Sequence, residues 1–571
     1  MRIGTIQATL EQLRSHGDQI ALEHVGTTMD YQELQATLDE IDAILRIRSN
    51  LKPGSRVMVT SLHTPHTVAL MLACIQMGLT YVPVPRSTPD VRLHHIRQSV
   101  GAAAHATNVH GDLQLEPLSP QTNLDHNQEP LTAILHTSGS TGTPKSVAIK
   151  ASNLDHFLNW CRQDLPLNSQ DRIAMLSPLH FDLCTHDIFH GLGSGATLVF
   201  PSEIEQSNPQ AAARFIHERG ITRLYMVPTF LEAVAKAVSR SVVVAKTVDT
   251  VMFAGERLSS RGRKAVESAF PHARLFNLYG PIETNVITAR ELTPGAAHDS
   301  SDVGPPLPGI HLAVRRSSGN ITNYGRGELI AGGSAVTPGY LNRDHNADKF
   351  VTYQSQRFYR TGDEATISTE TVKLHGRLDS MVKIRGQRVE IDEVEAQINT
   401  VAEVSQAAVI PSAAGDSLEA FIVVSPEAKN STDSTHIIPR VVTHCRRTLP
   451  GVAIPSHVHA IDSLPQTTTG KIDRTALTPS NTSQSTSFRA SNSTNPVDAI
   501  EEFLTARLDT PTEQLRALSS LREHPSFNSL IAAECIEAVE DRLGCSADYD
   551  KLTSSSFDSI DSMGALFDCH H

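Results

Sequence analysis

The sequence contains no apolar run near the roughly 18 residues that a membrane-spanning helix needs, so no such helix is expected. Its N-terminus, MRIGTIQATLEQLRSHGDQ, lacks the apolar core of a secretory signal. The seven cysteines form no CxxC pair, which reads as reduced thiols in a cytoplasmic protein. An excess of positive charge is also missing. Lys and Arg number 49 against 62 Asp and Glu, a net charge of −13, which argues against a nucleic-acid surface over most of the chain. Histidines are plentiful, 27 in all, but no HExxH or similar spacing occurs, so a metal site built on histidine is not expected. The GxxxxGK[ST] phosphate loop is absent too.

What is present is a chain of 571 residues, too long for one core, so two to four domains are expected. Up to about residue 375, β-branched runs such as RVMVTSL (56–62), RLYMVP (223–228) and TVMFAG (250–255) alternate with helical patterns such as HTVALMLACIQMG (66–78) and TFLEAVAKAVS (229–239). That alternation predicts mostly parallel α/β sheets. A smaller α+β unit follows from Asp379. PSNTSQSTSFRASNSTNP is nearly free of core residues and reads as a linker. Helical patterning then returns. The expected division is 1–378, a small mobile unit 379–478, a linker 479–496 and a helical tail 497–571.

HTSGSTGTPKS (136–146) follows a predicted strand. Its small residues let backbone N–H groups and hydroxyls crowd around an anion, and Lys145 adds charge. Further on come NLYGPIETNV (277–286), GELIAGGSAVTPGYLNR (327–343), YRTGD (359–363), GRLDSMVKIRGQRVEIDEVE (376–395) and PQTTTGKIDR (465–474). In that order and spacing the set resembles the adenylate-forming, AMP-binding superfamily, over roughly residues 10 to 478. The resemblance implies an α/β fold: a large N-terminal domain of stacked sheets with packed helices, and a small mobile α+β domain. It implies a ligase that uses ATP and Mg²⁺ to make an acyl adenylate and then passes the acyl group to a thiol.

By the same resemblance, Thr137, Ser138, Gly139, Ser140, Thr141 and Gly142 with Lys145 would hold the β- and γ-phosphates. Glu283 would ligate Mg²⁺ and Thr284 would touch the α-phosphate. Tyr279, beside Gly280, would stack near adenine, Asp363 would bind both ribose hydroxyls and Arg377 would assist there. Lys471 would meet the charge that develops in the transition state. Asp379 matches the family hinge, and Gly386 marks the carrier-facing backbone. Ile282 departs from the family, which usually has threonine there.

The amino-acid pocket of peptide-synthetase adenylation domains maps onto Asp182, Leu183, His186, Tyr225, Met252, Ala254, Leu278, Val286 and Ile287. An aspartate at the first position implies a partner ammonium on the substrate, because an acid lacking the amine would leave Asp182 buried and alone. The other positions carry no further carboxylate, lysine or arginine, so a small or medium apolar amino acid is expected. The pattern looks most like the free-standing L-prolyl-AMP ligases, with alanine or another apolar amino acid as the alternative. His186, Met252 and Ile287 depart from it. The partner would be a phosphopantetheine carrier protein, with no nucleic acid and no membrane involved.

The tail segment SSSFDSIDSMGALFDCHH (554–571) resembles the start of a carrier helix; read so, it is a truncated or degenerate carrier with Ser562 as the phosphopantetheine site and Ser559 as the runner-up, the alternative being an amphipathic helical tail with no carrier role. An acyl-CoA ligase, a D-alanine–carrier protein ligase and a non-catalytic homologue are the competing readings.

Overall fold

The computed structural model describes residues 5–48, 51–109, 111–118, 131–138, 144–240, 246–296, 299–412, 415–425, 437–465, 472, 474–477, 495–508, 510–521, 524, 527, 529–543, 547–548, 551 and 554–567. Three sheets form the N-terminal body. The first has eight strands, and its middle strands Ile20–His24, Thr197–Phe200, Arg172–Ala174, Arg223–Met226, Thr250–Phe253 and Arg274–Tyr279 run parallel, with antiparallel strands at both edges. The second has seven strands and contains Arg56–Ser61, Thr80–Pro85, Ala133–Thr137 and Lys145–Ile149. The third is antiparallel and runs from Asp302–Gly304 to Val372–Arg377. The α/β class expected from strand–helix alternation is found. The third sheet was not foreseen, because half-buried antiparallel strands lack the continuous apolar runs that mark parallel ones.

Strand period decides which residues can meet a ligand. On neighbouring strands Tyr225 pairs with Met252 and Met252 with Phe276. These side chains share one face, and they pack with Trp160, Leu278, Val286 and Ile287 towards the third sheet. The alternate residues Leu224, Met226, Val251 and Phe253 point the other way. They form a core with the helices Pro209–Glu218, Pro228–Arg240 and Ser260–Ala269. A one-residue slip would exchange pocket wall for core.

From Met381 onward the chain builds separate cores. Met381–Ile384 and Gln387–Glu390 form a two-stranded hairpin. The helices Ile391–Ile398 and Ile437–Thr448 cover a three-stranded sheet. Most of the predicted linker, 479–494, lies outside the described residues. The tail helices Pro496–Leu508, Thr512–Arg516, Ser529–Leu543 and Ile560–Gly564 close around their own core, which includes Ile500, Leu504, Ile536, Val539 and Met563. Among the described residues no helix is long and apolar enough to cross a membrane.

The fully buried Phe253 anchors the helix-covered face of the first sheet. Phe253→Ala is expected to cost ~3–5 kcal/mol through lost burial and a residual cavity. A lowered midpoint in urea unfolding, followed by fluorescence of Trp160, would show it. An unmoved midpoint would contradict the packing.

Candidate active site

The parallel strands of the first sheet end at a cavity of about 370 Å³. Open α/β sheets bind ligands at these carboxyl ends, where loops rather than strands line the space. Leu183, Tyr225, Ala254 and Val286 form an apolar wall, with Asp182 beside them. Tyr279, Gly280, Asp363 and Arg377 line a polar arm. The hairpin after the hinge closes the cavity with Met381, Lys383, Gly386, Gln387 and Arg388.

Asp182 lies in a turn ahead of a helix that widens into a π-type turn at His186–Gly191. Such widened turns tend to occur at functional sites. The carboxyl is enclosed by protein yet open to the cavity. Among the described residues no other residue donates a hydrogen bond to it; only its own backbone N–H does. Burial pushes its pKa up to about 6, against the opposing pull of Lys383. Lys383 comes from the hairpin, outside the nine pocket positions read from the sequence, none of which carries a lysine.

His186, Met252, Leu278 and Ile287 do not line the cavity but lie buried behind its wall. His186 Nδ1 is 2.9 Å from Asp187 Oδ1, and its ring meets those of Tyr225 and His190 edge-on. Burial pushes the His186 pKa down to about 3 and that of Asp187 well up. The pair is a buried polar floor beneath Tyr225. Thr284 does not reach the cavity either. Its hydroxyl donates within its own turn, 3.1 Å from the Pro281 carbonyl oxygen, while Ile282 lines the space. The α-phosphate role expected of Thr284 therefore has no geometric support.

Tyr279 donates its hydroxyl hydrogen bond to Asp363 Oδ2 at 2.6 Å, and Arg377 reaches Asp363 Oδ1 at 3.1 Å. Arg377 also forks onto the hinge carboxylate of Asp379, at 2.8 and 2.7 Å. Asp379, the expected hinge residue, is thus tied to the polar arm.

Glu283 is fully buried, and Arg388 Nη1 lies 3.1 Å from its Oε1. Burial would raise its pKa, but Arg388 and the Tyr340 hydroxyl outweigh this and hold it below the usual range. Arg388 Nη2 lies 3.0 Å from Glu390 Oε1, which is 3.8 Å from Lys145 Nζ. The Ser138 hydroxyl donates to the Arg388 carbonyl at 2.8 Å and accepts from the Glu390 N–H at 3.0 Å. Thr137 and Ser138 line the cavity, whereas Gly139, Ser140, Thr141, Gly142 and Lys471 lie outside the described residues. Among the described residues no cluster of three His, Cys, Asp or Glu side chains could hold a metal. A lone buried carboxylate beside a phosphate loop does suit Mg²⁺, which commonly takes one or two carboxylates plus phosphate oxygens. Lys383, Arg388 and Glu390 were missed in the sequence as site residues, although all three stand in the quoted string KIRGQRVE.

The hairpin turns at Arg385 and Gly386, with φ of +50° and +76°. Two consecutive left-handed residues are what a tight two-residue hairpin loop requires. The Gly386 N–H donates to Glu256, and a Cβ at this position would stand 2.2 Å from Val227 Cγ1. The buried pair of Arg92 with Glu393, at 2.8 Å, joins the small unit to the body.

The AMP-binding enzyme family matches residues 10–341, and its C-terminal domain, the AMP-binding enzyme C-terminal domain, matches 393–471. The chain belongs to the AMP-binding enzyme family. It is 29% identical over 496 residues to the D-alanine–D-alanyl carrier protein ligase of Bacillus licheniformis, covering 83% of this chain and 98% of that one. It is 29% identical over 500 residues to the L-proline–[L-prolyl-carrier protein] ligase of Pseudomonas fluorescens, covering 82% and 97%. The fold also matches holo-PA1221, an NRPS protein containing adenylation and PCP domains. There the TM-score is 0.75 at 19% identity, over 99% of this chain and 97% of that one.

Gly386→Ala is expected to push the hairpin out, because the new methyl meets Val227 and the left-handed turn disfavours a side chain by about 1 kcal/mol. Amide exchange over 381–390 would speed up, and adding Val227→Ala would slow it again in part. Exchange that stays unchanged in Gly386→Ala would refute this packing.

Proposed function

We propose that the chain activates a small apolar amino acid as its aminoacyl-AMP, releasing pyrophosphate, and transfers the aminoacyl group to a phosphopantetheine thiol. Asp182 carries this reading. It is an enclosed carboxyl beside an apolar wall, and its strongest opposing charge sits on the hairpin. Leaving a buried charge unpaired is costly, so the site discriminates in favour of a substrate that brings a cation. Tyr225 and its His186–Asp187 floor limit depth, which suits proline, alanine or a residue of similar size. The two carrier-ligase relatives act on amino acids of that size by their names.

In the first step an oxygen of the substrate carboxylate bonds to the α-phosphorus of ATP, and the bond to the bridging β-oxygen breaks, so pyrophosphate leaves with the electron pair. Asp363 would fix the ribose, while Ser138 and Lys145 would hold the outer phosphates. Glu283 would hold Mg²⁺, which neutralises phosphate charge when bound. Lys471, placed by its motif, would steady the charge building between carboxylate and phosphate. In the second step a thiolate sulfur bonds to the acyl carbon and AMP departs.

ATP–pyrophosphate exchange across the twenty amino acids, acetate and benzoate tests this. Exchange should require an amine, and Asp182→Ala should abolish it while nucleotide still binds. Exchange driven by acetate or benzoate would defeat the reading. Only the ionised Asp182 pairs with ammonium. The KM for the amino acid should therefore climb as pH falls below about 6, approaching ~tenfold per unit, while the KM for ATP does not follow.

The tail supports a second part of this reading, that it is itself a carrier. Its fold likeness to the adenylation–PCP protein spans 99% of this chain. Ser562 is the third residue of the short last helix, where its hydroxyl bonds to Ser559, and three helices precede it. Ser529 opens the helix Ser529–Leu543 in the string NSLIAAECIEAVEDRLG, which fits the carrier pattern of a serine followed by leucine and apolar residues. We infer that Ser529, not Ser562, takes phosphopantetheine. Incubation with a phosphopantetheinyl transferase and CoA should add one phosphopantetheine to the intact mass. Ser529→Ala should block it and Ser562→Ala should not; the reverse pattern would restore Ser562.

A further inference from the structure

Glu283 and Lys145 are opposite charges of the N-terminal body that lie buried beneath the docked hairpin and are not paired to each other, although Glu283 also accepts a hydrogen bond from the Tyr340 hydroxyl. Their side chains are 0% and 8% exposed. Each meets its partner from the hairpin: Arg388 at Glu283, and Glu390 at Lys145. Arg388 and Glu390 are also bonded to each other, so the charges alternate along a chain of four that crosses between body and hairpin at both ends. The backbone follows the same course, since Ser138 of the phosphate loop is bonded on both sides to the hairpin main chain.

We infer that Arg388 and Glu390 are built to displace magnesium pyrophosphate. The guanidinium takes the place of the metal at Glu283, and the carboxylate takes the place of phosphate oxygens at Lys145. The inference rests on the reading of Lys145 and Glu283 as phosphate and metal residues. Both occupants satisfy the same buried charges and the same serine hydroxyl, so only one can be present. Two consequences follow. After the first step, hairpin docking removes the product that could reverse the reaction. Before it, bound MgATP keeps the hairpin out. Arg388 and Glu390 are thus positioning residues whose contacts couple product release to the domain rotation, and the coupling is reciprocal by linkage. Ion pairs that merely glue two domains would not respond to a ligand of this composition.

The test uses the full chain with Mg²⁺ and inorganic pyrophosphate as the probe. In the unaltered protein, saturating magnesium pyrophosphate should speed amide exchange across residues 381–390. In Arg388→Ala/Glu390→Gln the docked state is weakened, so calorimetry should show magnesium pyrophosphate binding about tenfold tighter or more. Arg388→Lys should fall between the two. Equal affinity in all three proteins, together with hairpin exchange indifferent to the probe, would overturn the inference and leave the proposed function standing. Failure of all three to bind magnesium pyrophosphate would overturn the reading of Lys145 and Glu283, and the inference with it.

Discussion

The arrangement depends on two buried charges, Glu283 and Lys145, whose ionic partners come from the hairpin. Asp182 and Asp363 line the cavity, Glu283 pairs with the cavity-lining Arg388 and Lys145 with Glu390, and a buried charge without a partner is among the most costly features a fold can carry. The hairpin relieves that cost: Arg388 neutralises Glu283, Glu390 meets Lys145, and Lys383 lies in the field of Asp363 and Asp182. Docking is therefore specified by electrostatics as much as by shape. The bidentate link from Arg377 holds Asp379, where the body gives way to the hairpin, against the same polar arm. If the small domain moves as its family resemblance implies, contacts that a ligand can replace suit it better than a large apolar seam.

The cavity wall follows a different rule. Its apolar side comes from strand alternation, with Tyr225 facing in while Leu224 and Met226 face the helices. Tyr225 is backed by the rings of His186 and His190 and by Asp187, all buried. Close packing transmits any change in that floor to the wall. His186 can thus shape the pocket without touching a ligand. Its departure from the prolyl pattern changes the support of the pocket rather than its lining.

The parallel sheets were legible in the sequence because their strands are continuous apolar runs between helical patterns, and RLYMVP and TVMFAG lie where the structure has strands. Asp182, Tyr279, Asp363 and Arg377 were legible because short motifs carry them, and the cavity brings all four together. What stayed hidden depends on distance along the chain. Nothing near Glu283 announces Arg388, 105 residues later, and nothing in VKIRG announces that Lys383 enters a pocket built from residues 182 to 286. The sequence does not show that Thr284 turns into its own loop while Ile282, two residues before it, takes the place on the cavity. Ser562 and Ser529 were hard to tell apart for a related reason: a serine flanked by apolar residues looks the same in any helix of a bundle, and the sequence alone does not say which helix carries it.

On the proposed function, the buried carboxylates of this region serve two kinds of partner by one rule. Asp182 calls for an ammonium, Glu283 for a metal and Asp363 for hydrogen-bond donors, and from its own chain the hairpin offers a lysine and an arginine to the same groups. A substrate-loaded body has those demands met and gains little electrostatically from the hairpin. A body that has lost metal and phosphates regains the demand at Glu283 and Lys145, while Asp182 can remain paired with the bound aminoacyl group. The order of events then follows from which charges are left bare. On that reading the hairpin would be drawn in by the departure of one product while the other is still in place, which is the state in which a thiol has something to attack.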